Sequence, residues 1–188
     1  HNGIEYALME VLSEISFILN KGFNISYDEQ TKKLNEVLKT SSSSFLLEIT
    51  SKVLNAKNED NKYFIDDVDN HIGQNGTGVW TINAALELGV SVPSIYAALS
   101  ARSSSQFFNY ATENNLSDED LKHSSKVNDV KLDEIIFFNF ACSLFQGLEI
   151  IKASNKFDFF NFDLQDVFKA WSAGCILQGE YLKLISHK

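Results

Sequence analysis

The chain has 188 residues, of which 44% are apolar and 22% are charged, enough to bury the core of one domain without disulfides or metal ions. Its formal net charge of −9 argues against nucleic acid and anionic membrane surfaces as partners, because both require clustered Lys and Arg. One proline, nine glycines and few alternating β-branched runs favour an all-α fold.

Apolar spacing and capping signals divide the chain into helices. Ser26 and Glu29 form a capping-box pattern, Gly22 and Gly89 are typical helix stops, and Pro93 suits a first helical turn. The serine run at 41–44 is predicted to be a short turn, with a flexible linker as the alternative. The predicted helices span about residues 1–22, 26–38, 45–53, 80–88, 91–110, 117–120, 131–156 and 163–188.

Three features bear on where the protein resides. The chain shows no signal peptide and begins at His1 within an apolar helical pattern, so we expect it to be the interior of a longer polypeptide. Cys142 and Cys175 lie in apolar patterns without metal-ligand spacing, which predicts buried free thiols in the cytoplasm, with a disulfide as the alternative. The apolar stretch at 135–148 is interrupted by polar residues and is predicted to be too short and too polar to span a membrane.

Residues 73–81 form a glycine-rich entry to a helix. Three glycines fall within six positions, so the backbone can approach a ligand closely just before a helix N-terminus, as in anion sites. The spacing Gly-x-x-Gly-x-Gly differs from the dinucleotide fingerprint, and no strand pattern leads into it. From the residues alone, a phosphate-type site and a plain glycine-rich helix start both remain open.

The first residues form a polar cluster on one helix face. His1, Asn2 and Glu5 are three or four positions apart, and Tyr6 lies one turn on from Asn2. An acid, an imidazole, an amide and a phenol together could bind a polyol and move a proton. The alternative is a set of solvated side chains.

These two segments resemble the 6-phosphogluconate dehydrogenase family, specifically its all-helical C-terminal domain. The family has a Gly-Gln-Lys-Gly-Thr-Gly-Lys-Trp-Thr loop and a Lys-x-x-His-Asn-Gly-Ile-Glu-Tyr helix that line the sugar site. Further blocks follow in the family's order at 44–50, 84–93, 101–105, 146–147 and 171–176. The resemblance covers nearly the whole chain and implies an all-α, multi-helical 6-phosphogluconate dehydrogenase C-terminal-like domain with long core helices.

The resemblance also implies a function. Residues 1–188 would be a single substrate-binding and dimerisation domain of a cytoplasmic enzyme that converts 6-phosphogluconate to ribulose 5-phosphate and carbon dioxide with NADP. Glu5 would be the acid that protonates the enediol carbon. The implied substrate-binding residues are His1 and Asn2 at the sugar hydroxyls, Tyr6, Thr77 and Arg102 at the phosphate, and Asn75 in the loop. No metal is implied.

Several positions depart from the family pattern. Asn75 and Val79 replace the two loop lysines, and Ser172 and Gln178 stand where many members have arginines. Each lost charge-assisted contact to phosphate is typically worth about 1.5 to 3 kcal/mol. The base lysine would lie three residues before His1, and the NADP-binding Rossmann domain and a C-terminal tail are expected outside this chain, so the chain alone is expected to be inactive.

The last third of the chain is rich in phenylalanine. Two interpretations stay open, a buried core and a dimer interface, and the resemblance implies a homodimer. The residues concerned are Phe137, Phe138, Phe140, Phe145, Phe157, Phe159, Phe160, Phe162 and Phe168.

Two other functions stay open for the chain as a whole. A non-catalytic helical dimerisation or scaffold module is the main alternative, motivated by Asn75 and Val79. A β-hydroxyacid dehydrogenase, which shares the helical fold, is a third interpretation that the His-Asn-Gly-Ile-Glu-Tyr start disfavours.

Overall fold

The computed structural model describes residues 1–69, 71–73, 75–105, 131–157 and 160–186. Over these residues the secondary structure is helical and includes no β-sheet, which confirms the predicted all-α class. The eight α-helices of the described residues are α1 (Asn2–Phe17), α2 (Tyr27–Val37), α3 (Phe45–Asn55), α4 (Thr77–Leu88), α5 (Pro93–Ser104), α6 (Leu132–Ser154), α7 (Leu164–Ser172) and α8 (Glu180–Ser186). A π-helical turn at Ile18–Gly22 extends α1, and a 3-10 helix lies at Phe64–Asp67.

Helix α1 is the central element and packs against α4, α5 and α6. Its buried side includes Ile4, Leu8 and Leu12, all in the main hydrophobic cluster. Two glycines allow the close approach: a Cβ at Gly3 would lie 2.8 Å from Cβ of Thr81, and one at Gly147 would collide with the side chain of Ile4. At the start of α1, the backbone of Gly3 therefore packs on the side chain of Thr81 in α4, and the side chain of Ile4 packs on the backbone of Gly147 in α6.

Several predicted helix ends are confirmed by their capping contacts. Ser26 and Glu29 form the reciprocal capping box of α2. Ser44 Oγ accepts a hydrogen bond from Leu47 N at 3.1 Å at the start of α3, so the serine run enters a helix and is not a linker. Gly89 ends α4 with a left-handed φ of 69°.

Two predicted boundaries are wrong. Helix α4 begins at Thr77, three residues before the predicted start at Trp80, because Gly76 serves as its N-cap with a φ of 87°. The predicted last helix is interrupted between α7 and α8, where the backbone instead pairs with the start of α3. Glu180 N donates to Ser43 O at 2.8 Å, and Phe45 N donates to Gln178 O at 3.0 Å.

Helix α6 is long and apolar enough to cross a membrane by length and composition alone. The prediction that this stretch is too short and too polar for a span therefore does not hold on length or on composition. One side of the helix packs in the core, where Ile136, Phe140 and Leu144 are fully buried. Phe140 also meets Tyr181 of α8 edge to face, with ring centroids 5.6 Å apart.

The two cysteines are free thiols, as predicted, which leaves the disulfide alternative without support. Each is half-buried and not fully buried, so the expected depth was too great. The predicted extension of the α5 helix through Phe107, Phe108 and Tyr110 lies outside the described residues, as does the predicted short helix at 117–120.

Candidate functional site

A cleft of about 520 Å³ lies between the start of α1, the glycine-rich loop and the end of α5. It brings together segments that are about 70 and 100 residues apart in sequence. Six of the seven residues predicted from the sequence line it. The lining residues are Asn2, Glu5, Tyr6, Met9, Gly73, Asn75, Thr77 and Arg102.

His1, the seventh predicted residue, lines a neighbouring opening of about 340 Å³. Asn2 and Thr77 belong to both openings, so the two adjoin across these side chains. The rest of the second opening is mostly apolar and comes from α1, α4 and α6. Its other lining residues are Ile4, Trp80, Thr81, Ala84, Gly147, Ile150 and Ile151.

Sequence reasoning missed several of these lining residues. Gly73 belonged to the recognised glycine stretch, so its position could have been inferred from the loop. Met9 lies one turn on from Glu5 on α1, and helical spacing could have found it. Ile150 and Ile151 carried no such signal, because their spacing is that of an ordinary core helix.

The loop is shaped by two glycines and by Asn75. Gly76 takes the left-handed conformation that turns the chain into α4. Gly78 leaves room for the ring of Tyr6, since a Cβ there would lie 2.6 Å from Cε2 of Tyr6. Asn75 Oδ1 accepts hydrogen bonds from Thr77 Oγ1 at 2.9 Å and from Thr77 N at 3.3 Å. The loop thereby presents Thr77 and Asn75 to the cleft.

Arg102 is held over the aromatic ring of Tyr6. Its guanidinium carbon lies 4.0 Å from the ring centroid, a cation–π contact between α5 and α1. Ser105 Oγ donates to Arg102 O at 2.7 Å and accepts from Ile72 N at 3.1 Å. The buried Ser105 hydroxyl thus joins the end of α5 to the segment that precedes the glycine loop.

Gln146 of α6 positions the other end of α5. No side chain within the α5 segment caps the helix at Val92. Gln146 Oε1 accepts from Ser94 N at 2.9 Å, and Gln146 Nε2 donates to Ser94 Oγ at 2.9 Å. An amide from a distant helix therefore takes the place of a local cap and orients the helix that carries Arg102.

The charges of the cleft are few. Arg102 is the only arginine of the chain, and among the described residues that line the cleft it is the only cation and Glu5 is the only carboxylate. Glu10 lies on α1 just beyond the cleft, where burial and the charge of Glu14 raise its pKa above the ordinary value while Arg102 acts to lower it. Donors, one acid and one guanidinium together suit a small hydroxylated anion.

A second surface lies on α6, opposite its buried side. We call it the aromatic face and define it by Ile135, Phe138, Cys142 and Phe145. Phe138 is 67% exposed and Phe145 is 52% exposed. Of the other phenylalanines noted in the sequence, Phe140 is buried, Phe137 and Phe168 pack partly on the core, and Phe157, Phe160 and Phe162 are exposed; Phe159 lies outside the described residues.

Comparison with known proteins gives consistent matches over the whole chain. The family model for the 6-phosphogluconate dehydrogenase C-terminal domain matches residues 1–188. A decarboxylating 6-phosphogluconate dehydrogenase from Synechocystis is 34% identical over 98% of this chain and 40% of its own length. The NADP(+)-dependent, decarboxylating 6-phosphogluconate dehydrogenase of Bacillus subtilis is 32% identical over 98% of this chain and 41% of its own.

A solved structure shows the same fold. The chain is similar to Plasmodium falciparum 6-phosphogluconate dehydrogenase, described in its apo form and in complexes with NADP+ and with 6-phosphogluconate, at a TM-score of 0.82 and 27% identity. The match covers 100% of this chain and 42% of that one. The chain thus spans about two fifths of the length of the relatives that it matches.

Proposed function

Because this chain belongs to the family of 6-phosphogluconate dehydrogenase C-terminal domains, we propose that it is the substrate-binding and dimerisation domain of an NADP-dependent, decarboxylating 6-phosphogluconate dehydrogenase. One observation carries the proposal: residues 1–6, the glycine loop and Arg102 converge on adjoining openings that share Asn2 and Thr77. The proposed substrate is 6-phosphogluconate and the proposed products are ribulose 5-phosphate and carbon dioxide.

The phosphate end of the substrate is assigned to the side of the cleft where α5 meets the loop. Arg102 supplies the only positive charge among the described residues that line this side, and it can offer two parallel N–H donors to phosphate oxygens. The hydroxyls of Tyr6 and Thr77 lie on the same side, and Thr77 stands at the N-terminus of α4, where the helix dipole favours an anion. Asn75 lines the cleft together with these residues.

The sugar end of the substrate is assigned to the start of α1. Asn2 lies at the junction of the two openings and His1 lies in the second, so both can bond sugar hydroxyls. The proposed reaction oxidises the substrate at C3 and then releases carbon dioxide, which leaves an enediol. NADP would accept the hydride, and the base lysine implied by the family resemblance would take the proton of the C3 hydroxyl. Glu5, as a carboxylic acid, would give its proton to the enediol carbon as the ketone forms.

NADP does not fit the fold of the described residues. They contain no β-sheet, and the glycine loop lacks the strand–turn–helix context of a dinucleotide site. A further domain would hold the nucleotide. We therefore expect the 188-residue chain to bind substrate without turning it over.

The aromatic face supports the dimerisation part of the proposal. Phe138 and Phe145 lie exposed on a helix whose other side is buried, so the described residues leave these apolar side chains in water. A second copy of the chain is the proposed partner. The face is on α6, which also lines the second opening through Ile150 and Ile151, so dimerisation and the site involve the same helix.

A non-catalytic scaffold module is the second candidate. Asn75 and Val79 favour it, because two uncharged side chains stand where the family loop has lysines. Such a module would keep the fold and the aromatic face while its cleft binds no sugar acid. Substrate binding therefore separates the two candidates.

Calorimetric titration of the chain with 6-phosphogluconate tests the proposal. We expect saturable binding that weakens at least tenfold in Arg102→Ala, because a charge-assisted contact is worth about 1.5 to 3 kcal/mol. Lys152→Ala, which removes an exposed cation from α6, is the matched control and is expected to bind like the wild type. Heats near zero for both the wild type and Arg102→Ala would favour the scaffold module.

A further inference from the structure

The side-chain oxygen of Asn75 gathers the hydrogen-bond donors on the loop side of the cleft. Thr77 donates to it with its hydroxyl at 2.9 Å and with its backbone N–H at 3.3 Å, and the Tyr6 hydroxyl approaches it at 3.5 Å. An amide oxygen has two lone pairs, so the two hydrogen bonds from Thr77 occupy it, and the Tyr6 hydroxyl is a third and longer contact. The same three groups would otherwise be available to an oxygen of an anionic ligand.

The cleft offers little charge to displace that oxygen. An incoming phosphate must break the contacts of Asn75 before it can take the donors of Thr77 and Tyr6. Arg102 is the only cation among the described residues that line the cleft, and its charge also acts on the nearby carboxylate of Glu10. Its guanidinium is also stacked on the ring of Tyr6. A single cation with these other contacts attracts the phosphate only weakly toward the donors that Asn75 occupies.

We propose that Asn75 is a specificity-determining residue that withholds the donors of Thr77 and Tyr6 from a phosphate group. Among the described residues that line the cleft, Arg102 is then the one charged group that holds the phosphate, so we expect this chain to take sugar acids with only a modest preference for the phosphorylated form. The inference rests on the proposed function and narrows it, since it concerns which sugar acids the cleft distinguishes.

The test compares the dissociation constants of gluconate and 6-phosphogluconate for the full 188-residue chain, measured by calorimetry. The ratio of the two constants isolates the phosphate, because any loosening of the loop by a substitution affects both ligands. We expect a ratio of roughly ten for the wild type, from the single charge-assisted contact of Arg102. Asn75→Ala removes the competing oxygen and should raise the ratio roughly fivefold.

Asn75→Lys both removes the oxygen and adds a cation, so it should raise the ratio more than tenfold. Asn83→Lys makes the same substitution at an exposed position of α4 that does not line the cleft, and it should leave the ratio unchanged. Circular dichroism checks that each variant is folded. Asn75→Gly, which also lacks the oxygen, replaces Asn75→Ala if that variant is unfolded.

The possible results distinguish a failure of the inference about Asn75 from a failure of the proposed function. A ratio that stays at the wild-type value in Asn75→Ala overturns the inference, even if Asn75→Lys raises it, because added charge alone would then explain the effect. A wild type that binds both sugar acids with such a result still supports the proposed function. A wild type that binds neither ligand overturns the proposed function and the inference together.

Discussion

The cleft and the aromatic face are built from different elements, the cleft from α1, the glycine loop and α5 and the aromatic face from α6, and they differ in how far the described residues complete them. In the cleft, Arg102 rests on Tyr6, Asn75 holds Thr77, and Ser105 joins α5 to the loop. On the aromatic face, Phe138 and Phe145 project into water with more than half of their surfaces exposed.

The buried side and the open side of α6 pack differently. On its buried side α6 places Ile136, Phe140 and Leu144 four residues apart, which fills the core. On its open side the apolar spacing continues through Phe138 and Phe145 without a partner from the described residues. We therefore expect the cleft to depend on contacts within one chain and the aromatic face to depend on a second chain.

The largest predicted effect is on self-association, when charged residues replace phenylalanines on the aromatic face. The double substitution Phe138→Asp, Phe145→Asp should weaken self-association at least a thousandfold, because each buried phenylalanine contributes about 2 kcal/mol. Sedimentation equilibrium would show a dimer for the wild type and a monomer for the variant, with an unchanged circular dichroism spectrum.

The control for this prediction is Phe64→Asp on the 3-10 helix. Phe64 is 52% exposed, as Phe145 is, but it lies on a different element. We expect this variant to remain a dimer. A wild type that is monomeric at about 100 μM would contradict the proposal that a second copy of the chain covers the aromatic face.

The next largest predicted effect is on the free energy of unfolding, when a methyl group fills the space between α4 and α1. Gly78→Ala places a Cβ 2.6 Å from the Tyr6 ring and should lower the free energy of unfolding by about 2 to 3 kcal/mol. Urea unfolding measures the loss. Gly73→Ala is the matched control in the same loop, because no heavy atom lies within 4 Å of its added Cβ. Equal losses in the two variants would show that Tyr6 does not pack on Gly78.

The smallest predicted effect is a pH dependence at Glu10. Burial and the charge of Glu14 raise the pKa of Glu10 in the folded state, so the ionised carboxylate destabilises the fold above that raised pKa. Glu10→Gln should therefore increase the free energy of unfolding at pH 7, by about 0.5 kcal/mol after allowing for solvent screening. The gain should fade as the pH falls through the raised pKa and vanish below the ordinary glutamate pKa of about 4.3, where both states are protonated.

The free energy of unfolding, measured from about pH 3 to about pH 8, checks this dependence. Glu59→Gln, at an exposed position, is the control and should show no such trend. A gain at pH 7 that persists at the acid end would mean that the side chain acts through packing and not through its charge.

The sequence predicted those helix ends that local chemistry decides. The capping box of Ser26 and Glu29 and the stop at Gly89 need only neighbouring residues, and they are present as predicted. The last helix was predicted as continuous because its apolar spacing continues. A long-range pairing of Glu180 with Ser43 interrupts it, and no local pattern encodes that contact.

The residues of the site also divide into those that the sequence predicted and those that it did not. The start of α1 and the glycine loop were found by their family motifs, and the structure places them at one cleft. The contacts that orient the helices were not found, because Gln146 caps α5 from 52 residues away and Ser105 meets Ile72 across 33 residues. Such pairings depend on the tertiary arrangement of helices, which sequence spacing alone does not determine.

The most direct test of the shared cleft is a titration of isotope-labelled chain with 6-phosphogluconate, followed by NMR. We expect the backbone amides of Asn2, Glu5 and Thr77 to shift together and to saturate at the same ligand concentration, because they border one cavity. Shifts confined to one of the two segments, or shifts that saturate at different concentrations, would contradict the account.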